Sequence, residues 1–285
     1  MNAQSDLSEH RQSDIGNSRP IETSFESSYM IQNELGQGGF GTVYKGICKN
    51  SSKPVAVKNI PKDKITSWII DPTTGEKIPK EVYFLREVQH IPGIIKLLGY
   101  RERFDSVLIV LEYVESSMDL FDFISKEKVI PEPLAKHLFS QILNIILKCR
   151  AAGIAHRDIK DENLILNTET REIKLIDFGA AAHIQRFYKD LPGTKEYAPP
   201  EWYKWGKYKP DPATVWSLGI LLFDMVMGDI PFTTESEIRT SNVKFTQKIS
   251  SNCKAIINKC LEKRLSKRIL LSKIRHHAWL ANTAD

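Results

Sequence analysis

No run of apolar residues in this chain is long enough to cross a bilayer, and its first residues lack the hydrophobic stretch of a secretory signal. Cysteine is scarce: Cys48, Cys149, Cys253 and Cys260 are scattered, without metal-ligand spacing or the density of a disulfide framework. These absences argue against a membrane span and a disulfide-stapled secreted module. They lead to the expectation of reduced thiols in a cytoplasmic protein, with the nucleus a second compartment. Asn50-Ser51-Ser52 fits a glycosylation acceptor, but without a secretory signal it reads as a surface turn. The net charge of +5 is mild and spread along the chain, so it points to neither nucleic acid nor membrane as a partner. What is present is an ordinary globular composition on 285 residues, enough for one large domain or two modest lobes with a proper core.

The densest chemistry lies between Ala155 and Gly179. His156-Arg157-Asp158-Ile159-Lys160-Asp161-Glu162-Asn163 is followed by two short apolar runs, Asn163 to Leu166 and Ile173 to Ile176, and then by Asp177-Phe178-Gly179. The turn residues Asn167 to Thr170 separate the runs, which therefore read as a β-hairpin. That hairpin carries Asp158 and Lys160 at one end of its first strand and Asp177 just past its second. An acid to orient a hydroxyl, a cation for phosphate charge and oxygen ligands for hard metal ions are what phosphoryl transfer requires. The string and its fixed spacing resemble the catalytic loop and metal-binding motif of eukaryotic protein kinases.

Residues 1–25 are rich in Ser, Asn, Gln and charge and are expected to form a disordered tail, with order beginning near Tyr29. Gly36-Gln37-Gly38-Gly39-Phe40-Gly41 leads into Thr42-Val43-Tyr44 and then Val55-Ala56-Val57-Lys58. A lone G-x-G-x-x-G is weak, because a dinucleotide fold carries it too. There the glycines open a helix, whereas here a strand follows. Glycine lets the backbone close over phosphates without side-chain collision. Lys58 then needs an anionic partner. Glu76 lies in the turn-rich segment Asp71 to Lys77, and Glu87 falls off the apolar face. Pro79 suits the first position of a helix running to about Val88, on which Glu81, Phe84, Leu85 and Val88 share one face. Lys58–Glu81 is the expected pair, with Leu85 behind it.

Val107 to Leu111 is a continuous apolar strand, and residues 112–117 then lose apolar character, which marks a hinge. A helix from Glu132 to about Ala151 presents Leu134, Leu138, Ile142 and Ile145 as a core stripe. His156 is expected to pack near Phe178 rather than to move protons. An apolar helix from Val215 to Met225 and a helical remainder follow. His276-His277 reads as helix-end packing rather than a metal site.

From about Tyr29 to Leu280 the chain resembles a serine/threonine protein kinase. Asp119-Leu120-Phe121-Asp122-Phe123-Ile124, the His156–Asn163 string, Tyr197-Ala198-Pro199-Pro200-Glu201-Trp202 and Val215-Trp216-Ser217-Leu218-Gly219-Ile220-Leu221-Leu222 are similar to the PIM family of the calmodulin-kinase-like group. PAS-domain kinases share part of the catalytic-loop string. The resemblance implies an α+β, bilobal kinase fold: a mostly β N-lobe at 26–112, a hinge at 113–117, a helical C-lobe at 118–281 and a short tail at 282–285. ATP and Mg²⁺ would lie between the lobes. It implies ATP contacts from Leu35, Gly36, Gly38, Gly39, Phe40, Gly41, Val43, Ala56, Lys58, Glu81, Leu111, Glu112, Asp119, Ile165 and Ile176. Asn163 and Asp177 would hold Mg²⁺, and Asp158 and Lys160 would be catalytic. Basic Ser/Thr-containing proteins would be the substrates of a monomeric enzyme, met by Asp119, Asp122, Asp161, Glu162 and Asp229, with Glu235 and Glu237 beyond. Thr194 is expected to bond Lys160 at the substrate end.

Departures from the family pattern are equally specific. PIM kinases carry a hinge proline, and Val114 stands there instead, so its N–H is expected to give adenine a second hinge hydrogen bond. Thr214 occupies a position where most kinases have an aspartate and PIM kinases do not. Arg157 beside Asp158 marks kinases switched on by loop phosphorylation, yet no Ser or Thr lies between Gly179 and Gly193. Tyr188 is the one hydroxyl there, and Asp190 is expected to supply a fixed charge in place of phosphate. Glu201 and Arg268 are expected to form a buried pair. A pseudokinase scaffold is the rival reading, disfavoured because Lys58, Glu81, Asp158, Asn163 and Asp177 are all present.

Overall fold

The computed structural model describes residues 25–39 and 41–281. Phe40 and the expected tails at 1–24 and 282–285 lie outside the described residues. Phe25, assigned above to the tail, is ordered. It opens α1 (Phe25–Ser28) and is buried in a cluster with Val55, Val57, Leu108 and Val110, its ring stacked on Tyr29 at 5.1 Å.

The N-terminal half contains β1 (Tyr29–Gly38), β2 (Gly41–Cys48), β3 (Pro54–Pro61), a small hairpin of β4 (Trp68–Ile70) and β5 (Lys77–Pro79), the helix α2 (Lys80–Val88), β6 (Leu97–Glu102) and β7 (Ser106–Glu112). Five of these strands form an antiparallel sheet in the order β1-β2-β3-β7-β6. Both central strands are covered on both faces. Val55, Val57, Leu108 and Val110 pack toward Phe25, while Ile60, Val107, Ile109 and Leu111 join the main core. The period-2 alternation of a strand therefore sends Lys58, between Val57 and Asn59, to the opposite face from Phe25. The β4–β5 hairpin was not expected, since three-residue strands carry no readable period. Its turn is the predicted one, with the Asp71 carboxylate accepting from Thr73 N at 2.9 Å and from Arg86 at 3.0 Å. Pro79 is the N-cap of α2 rather than its first residue, so the helix starts one residue later than expected.

The second half contains β8 (Ser117–Asp119), α3 (Leu120–Glu127), α4 (Glu132–Ala151), β9 (Ile154–Ala155), the antiparallel pair β10 (Leu164–Asn167) and β11 (Ile173–Leu175), β12 (Ala182–His183), α5 (Pro200–Trp205), α6 (Pro210–Met227), α7 (Glu235–Thr240), α8 (Ser251–Cys260), α9 (Leu271–Ile274) and α10 (Ala278–Ala281). β8 adds to the β10–β11 hairpin, which forms as expected, with the Asn167 side chain accepting from Glu169 N and Thr170 N to close its turn. α6 starts five residues before the expected Val215. Pro210 and Pro212 sit in its first turn, where a missing N–H costs no helical bond. From Val215 onward nearly every side chain of α6 is buried, as befits a helix apolar on all sides. Gly228 ends it at φ 81°, and a Cβ there would collide with the Lys128 carbonyl.

Arg268 grips Glu201 with two bonds of 2.8 Å, and the two side chains are 1% and 2% exposed. His277 Nδ1 accepts from Trp279 N at 3.2 Å, so it packs at a helix start. Among the described residues no group of three or more His, Cys, Asp or Glu side chains could hold a metal, and no helix is long and apolar enough to cross a membrane.

Candidate active site

Lys58 on β3 reaches both Glu81 oxygens, at 2.8 and 2.9 Å, and Asp177 Oδ2 at 3.2 Å. Leu85, one helical turn beyond Glu81, is fully buried behind it. Burial alone would lower the Lys58 ammonium, but the Glu81 and Asp177 carboxylates outweigh it and hold it above the ordinary lysine value. The lysine therefore stays charged between the Glu81 and Asp177 carboxyl groups. Its Asp177 partner is held below the ordinary carboxylate range against the opposing effect of burial, by Lys58 and by the Gly179 N–H at 3.0 Å.

The Asp158 carboxylate is fixed on both oxygens. Oδ1 accepts from Thr194 N at 3.0 Å and Thr194 Oγ1 at 3.1 Å, and Oδ2 accepts from Asn163 Nδ2 at 3.0 Å. The Thr194 expectation is thereby corrected: its hydroxyl bonds Asp158, while the Lys160 ammonium pairs with Glu162. A lysine two residues before an exposed carboxylate finds the local partner first. His156 Nε2 lies 2.9 Å from Ile176 O, and its ring meets Phe178 edge-on at 4.8 Å. Burial pushes that imidazole below its ordinary value, so it is a neutral packing group, as expected. Arg157 and Asp177 adopt φ of 70° and 59°, a left-handed backbone that costs a non-glycine residue about 1–3 kcal/mol. Arg157 Nη2 meets Asp190 Oδ1 at 2.7 Å, so the acid named from the sequence does contact this arginine.

The glycines divide by role. A Cβ at Gly36, Gly38 or Gly39 would meet nothing within 4 Å, so the strand turn is open where phosphates would approach. At Gly41 a Cβ would strike the Asn59 carbonyl, so that glycine serves the close approach of β2 to β3. Leu35 is exposed at 48% on β1. Strand register sets Val43 opposite Lys58, Ala56 opposite Leu111, and Ile165 opposite Asp119, with Ile176 beside Asp177. The Glu112 carboxylate accepts from Lys96 N at 2.9 Å and Lys174 Nζ at 2.7 Å, and its N–H donates to Lys96 O at 3.0 Å, so its backbone carbonyl is the group for a nucleotide. A charged lysine, an open glycine turn and a pair of oxygen donors, Asn163 and Asp177, fit ATP with a hard divalent cation. Two protein oxygens leave the remaining ligand positions to phosphate and water.

Asp122, Glu162 and Asp229 are exposed, whereas Asp119 caps α3 by accepting from Asp122 N at 2.7 Å. Burial raises Asp119 above its ordinary value. Asp161, expected in the substrate groove, is only 6% exposed and accepts from the Tyr197 hydroxyl at 3.1 Å. Its carboxyl also meets that of Asp224, a residue missed from sequence, which burial and then Asp161 push up to about 7. The available signal was an acid inside the apolar run of α6. Glu237 closes a capping box with Thr234, and Glu235 pairs with Arg239 at 3.2 Å, so both serve α7.

Residues 29–280 match the protein kinase domain family. The chain is 39% identical to the serine/threonine-protein kinase pim-2 of Danio rerio, over 91% of this chain and 87% of that one. It is 37% identical to the serine/threonine-protein kinase prk-2 of Caenorhabditis elegans over 90% of this chain, and 33% identical to the PAS domain-containing serine/threonine-protein kinase of Mus musculus over 93%. Those two are longer proteins, of which the matched segment covers 59% and 19%. With the lysine–glutamate pair, the anchored aspartate and the two lobes already in place, the chain belongs to the protein kinase family as a Pim-like serine/threonine kinase that uses ATP and a divalent metal.

Proposed function

We propose that this kinase phosphorylates Ser or Thr in arginine-rich proteins, with Mg²⁺ as the metal, and that it needs no phosphate on its own activation segment. ATP·Mg²⁺ supplies the phosphoryl group and neutralises its charge. Lys58, kept charged by Glu81 and Asp177, positions the nucleotide. Asn163 and Asp177 supply the metal's protein oxygens. Asp158, immobilised by Thr194 and Asn163, orients the substrate hydroxyl and takes its proton, and Lys160 adds positive charge beside it. Most of the rate gain comes from such positioning and fixed charge rather than from covalent chemistry.

The observation that carries the substrate assignment is the Asp161–Asp224 carboxyl pair. Among the described residues neither of these two buried acids forms an ion pair, and burial together with Asp161 pushes Asp224 up to about 7. A guanidinium offers the missing charge and a fork of donors. Asp119, Asp122, Glu162 and Asp229 surround the approach with further negative charge. The Arg157–Asp190 contact supports activity without loop phosphorylation. The enzyme is read as a monomer, and the free cysteines accord with a reducing compartment such as cytoplasm or nucleus. Asp122→Ala and Glu162→Ala should weaken the preference for arginine-rich over neutral serine peptides; an unchanged preference would overturn the groove assignment.

A further inference from the structure

A second charged surface lies beyond Arg157, away from the acids. Tyr188 and Tyr208 form an antiparallel bridge, with mutual backbone bonds of 2.9 and 3.1 Å, and both rings turn inward. Their chain neighbours face out. Lys207 and Lys209 hold their ammonium groups 5.5 and 5.7 Å from the Phe187 ring, and Arg186 lies 5.7 Å from the same ring. Lys189 is exposed beside them. The neighbouring acids are already committed: Asp190 to Arg157, Asp211 to Arg150 and Glu201 to Arg268. Among the described residues, none of Arg186, Lys189, Lys207 and Lys209 forms an ion pair. Three cations round one aromatic ring, with Lys189 exposed beside them on the same backbone bridge, make a surface that an anionic chain can meet without displacing an existing ion-pair partner.

Its position is tied to Asp158. Arg157 contacts both bridge tyrosines, with its guanidinium 4.1 Å from the Tyr188 ring and its Nε donating to the Tyr208 hydroxyl at 3.1 Å. Lys189 precedes Thr194, the residue bonded to Asp158, by five positions, a span of at most about 18 Å. A peptide of five or six extended residues covers that distance. We propose that this patch binds an acidic segment of the substrate protein, C-terminal to the phosphorylated residue. The direction rests on the substrate reading above: arginines upstream of the acceptor occupy the acids at α3 and α6, so the downstream chain leaves over Leu191 to Gly193 toward the cations. The substrate class becomes a dipolar sequence, basic before the acceptor and acidic after it.

The test uses the full chain and two serine peptides with the same upstream arginines, one ending in six glutamates and one in six glutamines. Exposed ion pairs contribute modestly, and three together predict a KM about 10-fold lower for the glutamate peptide at low salt, with kcat unchanged. The ratio should collapse toward 1 in 0.5 M KCl, where charges beyond about 4 Å are screened. A Lys207→Gln/Lys209→Gln variant should lose the difference while keeping wild-type kinetics on the glutamine peptide. Equal KM values in the wild type, or an undiminished ratio in the variant, overturn the proposal. If neither peptide is phosphorylated, the substrate reading has failed instead. Fluorescence anisotropy of a labelled hexaglutamate peptide on wild type and variant then decides the patch alone. Sedimentation with phosphatidylserine vesicles, lost in the variant while both peptides bind alike, would reassign the surface to membranes and refute the claim.

Discussion

The Arg157 guanidinium meets the Asp190 carboxylate at 2.7 Å, and the arginine side chain is 5% exposed while the aspartate is 65% exposed. A buried cation next to Asp158 is thus neutralised from the surface by an ordinary side chain. No enzyme is needed to install that charge, and none can remove it.

Phosphatase treatment should therefore leave kcat/KM unchanged. Asp190→Asn should reduce it, but only up to about 5-fold, because an exposed partner contributes at most about 1 kcal/mol. Loss of activity on complete dephosphorylation would contradict the assignment.

Val114 keeps the backbone N–H that a hinge proline would remove. One neutral hydrogen bond contributes about 0.5–1.5 kcal/mol, so Val114→Pro should weaken ATP binding roughly 5-fold. Equal nucleotide affinity of the two proteins, measured by calorimetry, would show that no second hinge bond forms.

The Asp161–Asp224 pair predicts a pH dependence of substrate affinity. Asp224 is pushed up to about 7, so it is protonated below that pH and ionised above it. A guanidinium binds the ionised form, so KM for an arginine-rich peptide should fall as pH rises from 6 to 8, with proton release on binding. Asp224→Asn should flatten the profile. The same group acts oppositely on the fold: its pKa rises above the unfolded value of 3.8, so its ionisation costs stability progressively between about 4 and 7. The asparagine variant should lack that loss in thermal melts across the same window.

Glu201→Gln leaves the Arg268 guanidinium buried without its counter-charge, a loss of about 3–5 kcal/mol. For a domain of this size that lowers Tm by about 10 °C. A paired apolar replacement, Glu201→Leu with Arg268→Met, should melt higher than the single variant, since it buries no orphan charge. A melting temperature indifferent to Glu201→Gln would show that the pair is dispensable.

The parts legible in sequence were those with a period or a fixed local spacing. The apolar face of α2 selected Glu81 over Glu76 and Glu87, and the paired runs round Asn167 gave the β10–β11 hairpin. Contacts across long separations were legible only where a motif carried them, as with Glu201 and Arg268. Thr194 reaches Asp158 over 36 residues, whereas Lys160, the partner expected for it, pairs with Glu162. Asp224 was hidden by the apolar residues round it, and Asp161 by its location within a motif whose other acids are exposed. The left-handed backbone at Arg157 leaves no trace in a residue type that ordinarily avoids it.

The most direct measurement is radiolabel transfer from γ-labelled ATP to an arginine-rich serine peptide by the unphosphorylated protein, run beside Asp158→Asn. Transfer by the wild type that falls at least about 10²-fold in the variant is the predicted result. No transfer by the wild type, or equal transfer by the two proteins, would contradict the assignment of Asp158 as the residue that receives the substrate proton.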